Sequence, residues 1–244
     1  MSHVITIAKR EFTGYFATPL AYVFIVIFLI LAGVFTFQLG SLYDTNQADL
    51  SPFFFWLPFL FLFLVPAVGM RLWSEEHKTG TVELLMTLPI KIWHAVMGKF
   101  LAAWLFTGIA LALTFPIWMT VNHLGDPDNG AIFAGYIGGF LMAGGFLAIG
   151  SCLSALTKNQ VIAFVLTLVV CLAFVLVGLP QIVRPMSDIL PSWAVETFAS
   201  FSFWTHFDGI SKGVLEARNV LYFLSVIAAF LFGTCLILDF KRAD

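Results

Sequence analysis

Charged side chains are scarce in this sequence of 244 residues: only 11% are Asp, Glu, Lys or Arg, whereas 60% are hydrophobic. A soluble domain carries about 25% charged residues, because water must solvate its surface. A single core of this size cannot bury so much apolar side chain. The composition therefore argues against a soluble enzyme or a disordered tail. The net charge of −2 provides no basic surface for phosphates, which argues against a nucleic-acid-binding protein.

Cysteine is also rare. The chain has three, Cys152, Cys171 and Cys235, and each lies in strongly apolar sequence. Three cysteines cannot all pair within one chain, so we interpret them as small membrane-buried residues and not as a disulfide framework or a metal site.

Six long stretches contain no Asp, Glu, Lys, Arg or His, and each is close to the roughly 20 residues that a helix needs to cross a bilayer. In hydrocarbon every backbone N–H and C=O must be paired within its segment, so we expect helices. The sequence predicts an all-α polytopic membrane protein, a single domain over 1–244. Its six transmembrane helices are predicted at about 20–40, 53–73, 100–121, 131–157, 159–180 and 219–239.

Lysine and arginine set the predicted orientation. With the N-terminus in the cytoplasm, nine of the twelve Lys and Arg residues lie in cytoplasmic segments and three in outer segments. This is the positive-inside pattern. It predicts a multi-pass protein of the bacterial inner membrane with both termini in the cytoplasm.

An amphipathic segment precedes the first predicted span. Phe12 and Phe16 lie on one face at helical spacing, whereas Lys9 and Arg10 lie on other faces. This pattern predicts a short helix in the inner membrane interface, ended by Thr18-Pro19. A plain membrane anchor and a docking element for a partner are both compatible with it.

The six charge-free stretches, which make up all but the ends of the predicted spans, contain no ionisable residue that would relay protons or couple ions. The chain also lacks a phosphate-binding loop, because its Gly98-Lys99 pair is followed by Phe100 and has no upstream glycine at Trp93. We therefore expect no catalytic, metal or cofactor site in this chain, and any uphill transport must take its energy from outside it.

The most polar inner segment is 75–99, between the second and third spans. Gly80 is a predicted left-handed helix stop. A short amphipathic helix is predicted to begin near Thr81 and to end at Pro89. Such a helix has the right shape to dock in the groove of another protein, although an interfacial loop helix without a partner has the same pattern.

Segment 75–99 resembles the ABC-2 family of ABC-transporter permeases, in which it carries the coupling helix that docks on a separate ATPase subunit. The resemblance implies that eight residues dock on the ATPase subunit: Glu75, Glu76, Gly80, Thr81, Glu83, Leu84, Leu85 and Pro89. The Gly98-Lys99 pair at the start of the next span completes the family motif. A second stretch is similar to the gliding-motility-associated subfamily in four residues: His206, Phe207, Gly213 and Tyr222.

The resemblance implies a permease subunit without an ATPase site of its own. ATP and Mg²⁺ would be bound by two copies of an ABC ATPase subunit. The permease would pair with a second copy of itself or with a related permease in the lipid bilayer. A non-transporting membrane scaffold or assembly factor is the alternative.

Two further regions carry predictions. Gly135, Gly139 and Ala143 align small residues on one face of the fourth span, which favours close helix packing over a substrate path. The outer loop 181–218 is long and rich in aromatic residues, a composition typical of the outer interface or of segments that re-enter the membrane. The family resemblance implies short re-entrant helices there, before the sixth span.

Overall fold

The computed structural model describes residues 2–40, 42, 49–82, 91–189 and 191–243. Helices account for nearly all of these residues and none of them lies in a strand, which confirms the all-α fold class. The helices are α1 (Ser2–Ala17), α2 (Pro19–Val34), α3 (Ser51–Gly69), α4 (Arg71–Thr79), α5 (Ile92–Ala112), α6 (Phe115–Leu124), α7 (Asn129–Leu156), α8 (Gln160–Leu176), α9 (Pro180–Ile189), α10 (Ser192–Ser200), α11 (Phe203–Ser211) and α12 (Ala217–Ala243). A π-helical segment, Phe35–Leu39, extends α2.

Five helical stretches of the described residues are long and apolar enough to cross a membrane: Pro19–Leu39, Ser51–Thr79, Ile92–Leu124, Asn129–Leu156 and Ala217–Lys241. The segment predicted as a further span at 159–180 is the shorter apolar helix Gln160–Leu176, with 17 residues. Just beyond α8 the chain passes close to the start of α11, where a β-carbon on Gly178 would lie 2.0 Å from Oγ of Ser202, and Pro180, which has no N–H group, begins α9.

Helix α7 lies at the centre of the bundle. It packs against α12, α3, α11, α8, α5 and α4, and most of its side chains are buried. Its first turn is capped by Asp128, whose carboxylate accepts hydrogen bonds from the N–H groups of Gly130 and Ala131 at 2.9 and 3.1 Å. The cap pairs N–H groups that have no partner within the helix.

Small residues let α3 approach α7 closely. A β-carbon on Gly135 would lie 2.4 Å from the ring of Phe54, and one on Gly139 would lie 2.7 Å from Leu57. Ala143, one helical repeat further on, is buried. The structure thus places Gly135 and Gly139 directly against α3.

The two backbones come closest further along these helices. A β-carbon on Gly150 of α7 would lie 3.4 Å from Cα of Gly69 in α3, and one on Gly69 would lie 3.3 Å from Cα of Gly150. Main chain therefore faces main chain at this crossing: a methyl group would require its neighbours to shift by a few tenths of an ångström, and a larger side chain has no space.

Helix α11 packs beside the N-terminal half of α7. Phe203, at its start, contacts Gly145, and Ile210, near its end, contacts Gly138. Helix α11 thus runs antiparallel to α7. The chain then turns at Gly213, whose φ of 87° is in the left-handed region that favours glycine.

Candidate functional site

Glu76 and Lys99, from the two ends of segment 75–99, form a polar junction with α1 at one end of the bundle. Lys99 of α5 is the centre of this junction, and its side chain is only 4% exposed. Its Nζ atom lies 2.7 Å from Oε1 of Glu76 and 3.2 Å from Oε2 of Glu11. We call Lys99, Glu11 and Glu76 the Lys99 cluster. It joins α1, α4 and α5 through a buried ammonium group that needs both carboxylates as partners.

Gly98 allows α1 to reach this position. A β-carbon on Gly98 would lie 2.7 Å from Cγ2 of Ile7 and 3.2 Å from the carbonyl oxygen of Val4. The Gly98-Lys99 pair therefore serves packing: the glycine admits α1 and the lysine pairs with it.

Glu11 is charged in this setting. Burial favours the neutral acid, but Lys99 and Arg10 outweigh that effect and lower the pKa of the Glu11 carboxyl below its ordinary value. The Glu11 contact raises the pKa of the Arg10 guanidinium, whose Nη2 atom lies 2.7 Å from Oε1 of Glu11. The shift favours the ionised form of Glu11 beside Lys99 and Arg10.

Glu76 also holds the start of the next element. Its Oε2 atom accepts a hydrogen bond from Oγ1 of Thr81 at 2.9 Å. Between them, Gly80 has a φ of 74°, the left-handed conformation that ends α4. The Lys99 cluster thereby fixes the direction in which the chain leaves α4.

The other face of α4 is attached to α7. Ser154 of α7 accepts hydrogen bonds at its Oγ from the backbone N–H groups of Trp73 and Ser74 at 3.1 and 2.9 Å, and donates one to the carbonyl of Met70 at 2.8 Å. The indole Nε1 of Trp73 donates to Oγ of Ser151 at 3.1 Å. Ser154 therefore caps α4 from a different helix.

Replacing Ser154 with alanine tests this cap. The change leaves two buried N–H groups without their acceptor, so we expect the free energy of unfolding to fall by about 1–3 kcal/mol. Unfolding in mixed detergent micelles, followed by tryptophan fluorescence, measures it. The matched control is Ser225→Ala, which removes an exposed hydroxyl bonded within its own helix and changes stability by less than about 0.5 kcal/mol. Equal stability of the two variants would contradict the cap.

A family model described as "ABC-2 family transporter protein" matches residues 42–238, most of the chain and all of the junction except α1. This chain belongs to the ABC-2 transporter family. Members of the ABC-2 family are membrane transport subunits that work with an ATPase subunit and are not themselves the ATPase. The chain is thus a multi-pass membrane protein.

Heme exporter protein B of Paracoccus denitrificans (strain Pd 1222) is similar to this ABC-2 chain over 57 residues, with 39% identity. These residues make up 23% of the chain and 26% of that protein. The match therefore spans about a quarter of the length of this curated relative.

The residues predicted to dock an ATPase subunit fall into three groups. Glu75, Gly80 and Thr81 are exposed at the end of α4. Glu76 is largely enclosed, because it binds Lys99. The remaining predicted residues, Glu83, Leu84, Leu85 and Pro89, lie outside the described residues. Thr81 and Val82 are helical, so the described chain ends there within a helical turn.

Of the four residues predicted to form the interfacial helix, two are exposed and two, Phe12 and Phe16, are partly buried. Lys9 and Arg10 are exposed. The Phe12 ring lies 5.2 Å from the Phe16 ring, and Phe16 contacts Phe106 of α5 at 5.8 Å. Helix α1 is therefore packed onto α5 along part of its length.

His206 and Tyr222 meet at the opposite end of the bundle. Their rings stack with centroids 4.0 Å apart. One ring nitrogen of His206, Nε2, donates to the carbonyl of Ser200 at 2.9 Å, and Nδ1 lies 2.7 Å from Oδ1 of Asn219. The Tyr222 hydroxyl donates to the carbonyl of Phe201. This network fixes α11 against the start of α12.

Some structural partners had no signal in the sequence. Glu11, Ser151 and Ser154 are ordinary polar residues when considered singly, and each acquires its role from a helix distant in sequence. For Lys99 a signal existed, because it directly precedes a long apolar run, where a lysine needs an anionic partner. Among the described residues, no group of His, Cys, Asp or Glu has the arrangement of a metal site.

Proposed function

We propose that the chain is the permease subunit of an ABC transporter, which moves its substrate across or out of the bacterial inner membrane. The energy comes from ATP hydrolysed on a separate nucleotide-binding subunit. The observation that carries the proposal is the family match over 42–238, which includes the whole of segment 75–99. The relative's name describes haem export, but 57 aligned residues are too few to extend that cargo to this chain.

We also propose six membrane crossings, with α8 as the fifth. Its 17 residues extend about 25 Å, at the lower limit for a crossing. Val161, Val165 and Val169 form an exposed apolar row along it, which suits contact with lipid. Because an even number of crossings puts both termini on one side, the lysine and arginine distribution places both in the cytoplasm.

The remaining elements follow from this orientation. Helix α1 lies in the cytoplasmic interface, and α9, α10 and α11 form the re-entrant segment before the sixth span. The position of α11 beside the N-terminal half of α7 supports re-entry. Assignment to the gliding-motility-associated subfamily is supported by His206 and Tyr222, which form the network that holds this segment.

In the assembled transporter, two permease chains, identical or related, bind two ATPase subunits that carry ATP and Mg²⁺. Closure of the ATPases presses on the helix near Thr81 and rocks the spans toward outward release. The Lys99 cluster supports this role, because it holds the start of that helix against α1 and α5.

Co-purification tests the docking assignment. We expect Glu83→Lys combined with Leu84→Ala to reduce the ATPase that co-purifies in mild detergent by at least about tenfold, because a desolvated charge and an apolar contact are both removed from the interface. The chain should still insert into the membrane in normal amounts. The matched control is Glu216→Lys, an exposed charge reversal before α12, which should retain the ATPase.

A stoichiometric ATPase on the double variant would contradict the docking assignment. Purification of the wild-type chain distinguishes a permease subunit from a non-transporting scaffold or assembly factor. If it contains no ATPase and shows no ATP turnover, the chain is a non-transporting scaffold or assembly factor.

A further inference from the structure

A cavity of about 480 Å³ opens at the end of the bundle opposite the Lys99 cluster. It lies between the π-helical segment Phe35–Leu39, the start of α3, and α11. Its volume is within the range of about 300–1,000 Å³ that is usual for small-molecule sites. A π-helical turn at its edge is a feature that occurs often at functional sites.

Aromatic rings form the walls of this outer cavity. Trp204 of α11 is largely buried and meets Phe55 of α3 edge to face, with centroids 5.2 Å apart. Phe207 is buried and packs against Phe54 in the same manner at 6.4 Å. Trp56 lines the cavity. Because the rings hold one another, the walls are formed before any ligand arrives.

The polar lining of the outer cavity is anionic. Asp49 is exposed, and its carboxylate accepts hydrogen bonds from the N–H and hydroxyl of Ser51 at 3.0 and 2.6 Å. Within the part of the chain that the structure describes, Asp49 forms no ion pair. The second carboxylate, Asp208, is paired with Lys212. Among the described residues of the lining, two carboxylates and one ammonium group leave one unneutralised negative charge.

This combination selects the charge of a ligand. The faces of Trp and Phe rings carry negative potential and attract cations, and an unpaired carboxylate adds to that attraction. Both the ring faces and the carboxylate repel an anion. The enclosed apolar surface favours a ligand with a bulky hydrocarbon or aromatic body.

We propose that the outer cavity binds an amphipathic organic cation, with its apolar body against Trp56 and Trp204 and its charge near Asp49. Binding of this kind requires neither an ATPase nor transport. It can therefore be present or absent independently of the proposed permease function.

Tetraphenylphosphonium is a suitable probe, and tetraphenylborate is its size-matched anionic control. Equilibrium dialysis of the purified full chain in detergent measures both. We expect saturable binding of the cation and no saturable binding of the anion. Asp49→Asn should weaken cation binding by about tenfold through loss of the unpaired charge, and Trp56→Leu by about fivefold through loss of an aromatic face.

Lys212→Gln should have the opposite effect. It frees the Asp208 carboxylate, so we expect cation binding about threefold tighter. Asp126→Asn is the matched control, since it removes an exposed carboxylate that does not line the cavity, and should leave the affinity unchanged. Asp49 and Lys212 are exposed, so both variants stay folded even if Trp56→Leu does not.

Three results would overturn the proposal. They are equal binding of cation and anion, equal affinity of Asp49→Asn and Asp126→Asn for the cation, or weaker cation binding by Lys212→Gln. Any of these would show that tetraphenylphosphonium partitions onto general apolar surface.

Discussion

Leucine at position 150 is expected to prevent α3 and α7 from packing together, and to lower the free energy of unfolding by at least about 3 kcal/mol, at the upper end of the usual cost of overpacking. Gly150 and Gly69 approach each other so closely that even a methyl group would displace its neighbours by a few tenths of an ångström. The extra carbons of leucine have no space unless the helices separate, and α7 contacts six other helices that would have to follow it.

A graded series makes this prediction specific to the helix crossing. Gly150→Ala adds one carbon, which needs shifts of only a few tenths of an ångström at Gly69 and Thr167, and should cost less than about 1.5 kcal/mol, whereas Gly150→Leu should sharply reduce the monodisperse fraction in size-exclusion chromatography. The matched control is Gly33→Leu in α2, because a β-carbon on Gly33 has nothing within 4 Å. If Gly150→Leu behaves like Gly33→Leu, the close approach of α3 and α7 is wrong.

Lys99→Met is expected to destabilise the chain by about 2–4 kcal/mol, because it leaves two largely enclosed carboxylates without their common cation. The value lies below that for a fully buried pair because Glu11 and Glu76 are each about one-fifth exposed. Helix α1 should also loosen from α5, and limited proteolysis near Thr18 should become faster. Unfolding in mixed micelles and the rate of cleavage are the two measurements.

Restoring neutrality should restore stability. Glu11→Gln and Glu76→Gln added to Lys99→Met remove the two carboxylate charges that Lys99 neutralises, and we expect more than half of the lost stability to return. Lys91→Met is the control, since Lys91 is exposed and should change stability by less than about 0.5 kcal/mol. A triple variant no more stable than Lys99→Met would show that the loss came from packing of the lysine stem and not from its charge.

The helices themselves were predictable from the sequence, because charge-free runs near 20 residues leave the backbone few alternatives in lipid. The positions at which the helices break or end were less predictable. At the break at Met70 the carbonyl accepts a hydrogen bond from Ser154, which is 84 residues away, and just beyond α8 Gly178 lies against the hydroxyl of Ser202. Such contacts are decided by tertiary packing, which local sequence does not encode.

The sequence singles out the segment that contains the Lys99 cluster, but it does not show which polar residues of that segment face solvent and which face the bundle. Glu75 and Glu76 are adjacent in sequence and were both assigned to docking. A helix, however, turns neighbouring residues about 100° apart. Glu75 therefore faces solvent, whereas Glu76 faces Lys99. Their different partners follow from the rotation of α4, which Ser151 and Ser154 fix through Trp73.

The cap that Ser154 provides also ties α4 to the centre of the bundle. At Met70 the helical ladder from α3 is interrupted, and the N–H groups that begin α4 are bound by α7 instead. Helix α4 is thus held to α7 by side-chain hydrogen bonds as well as to α3 by the chain itself. Because α7 packs against both α3 and α12, a single helix connects the end of α4 to both of them.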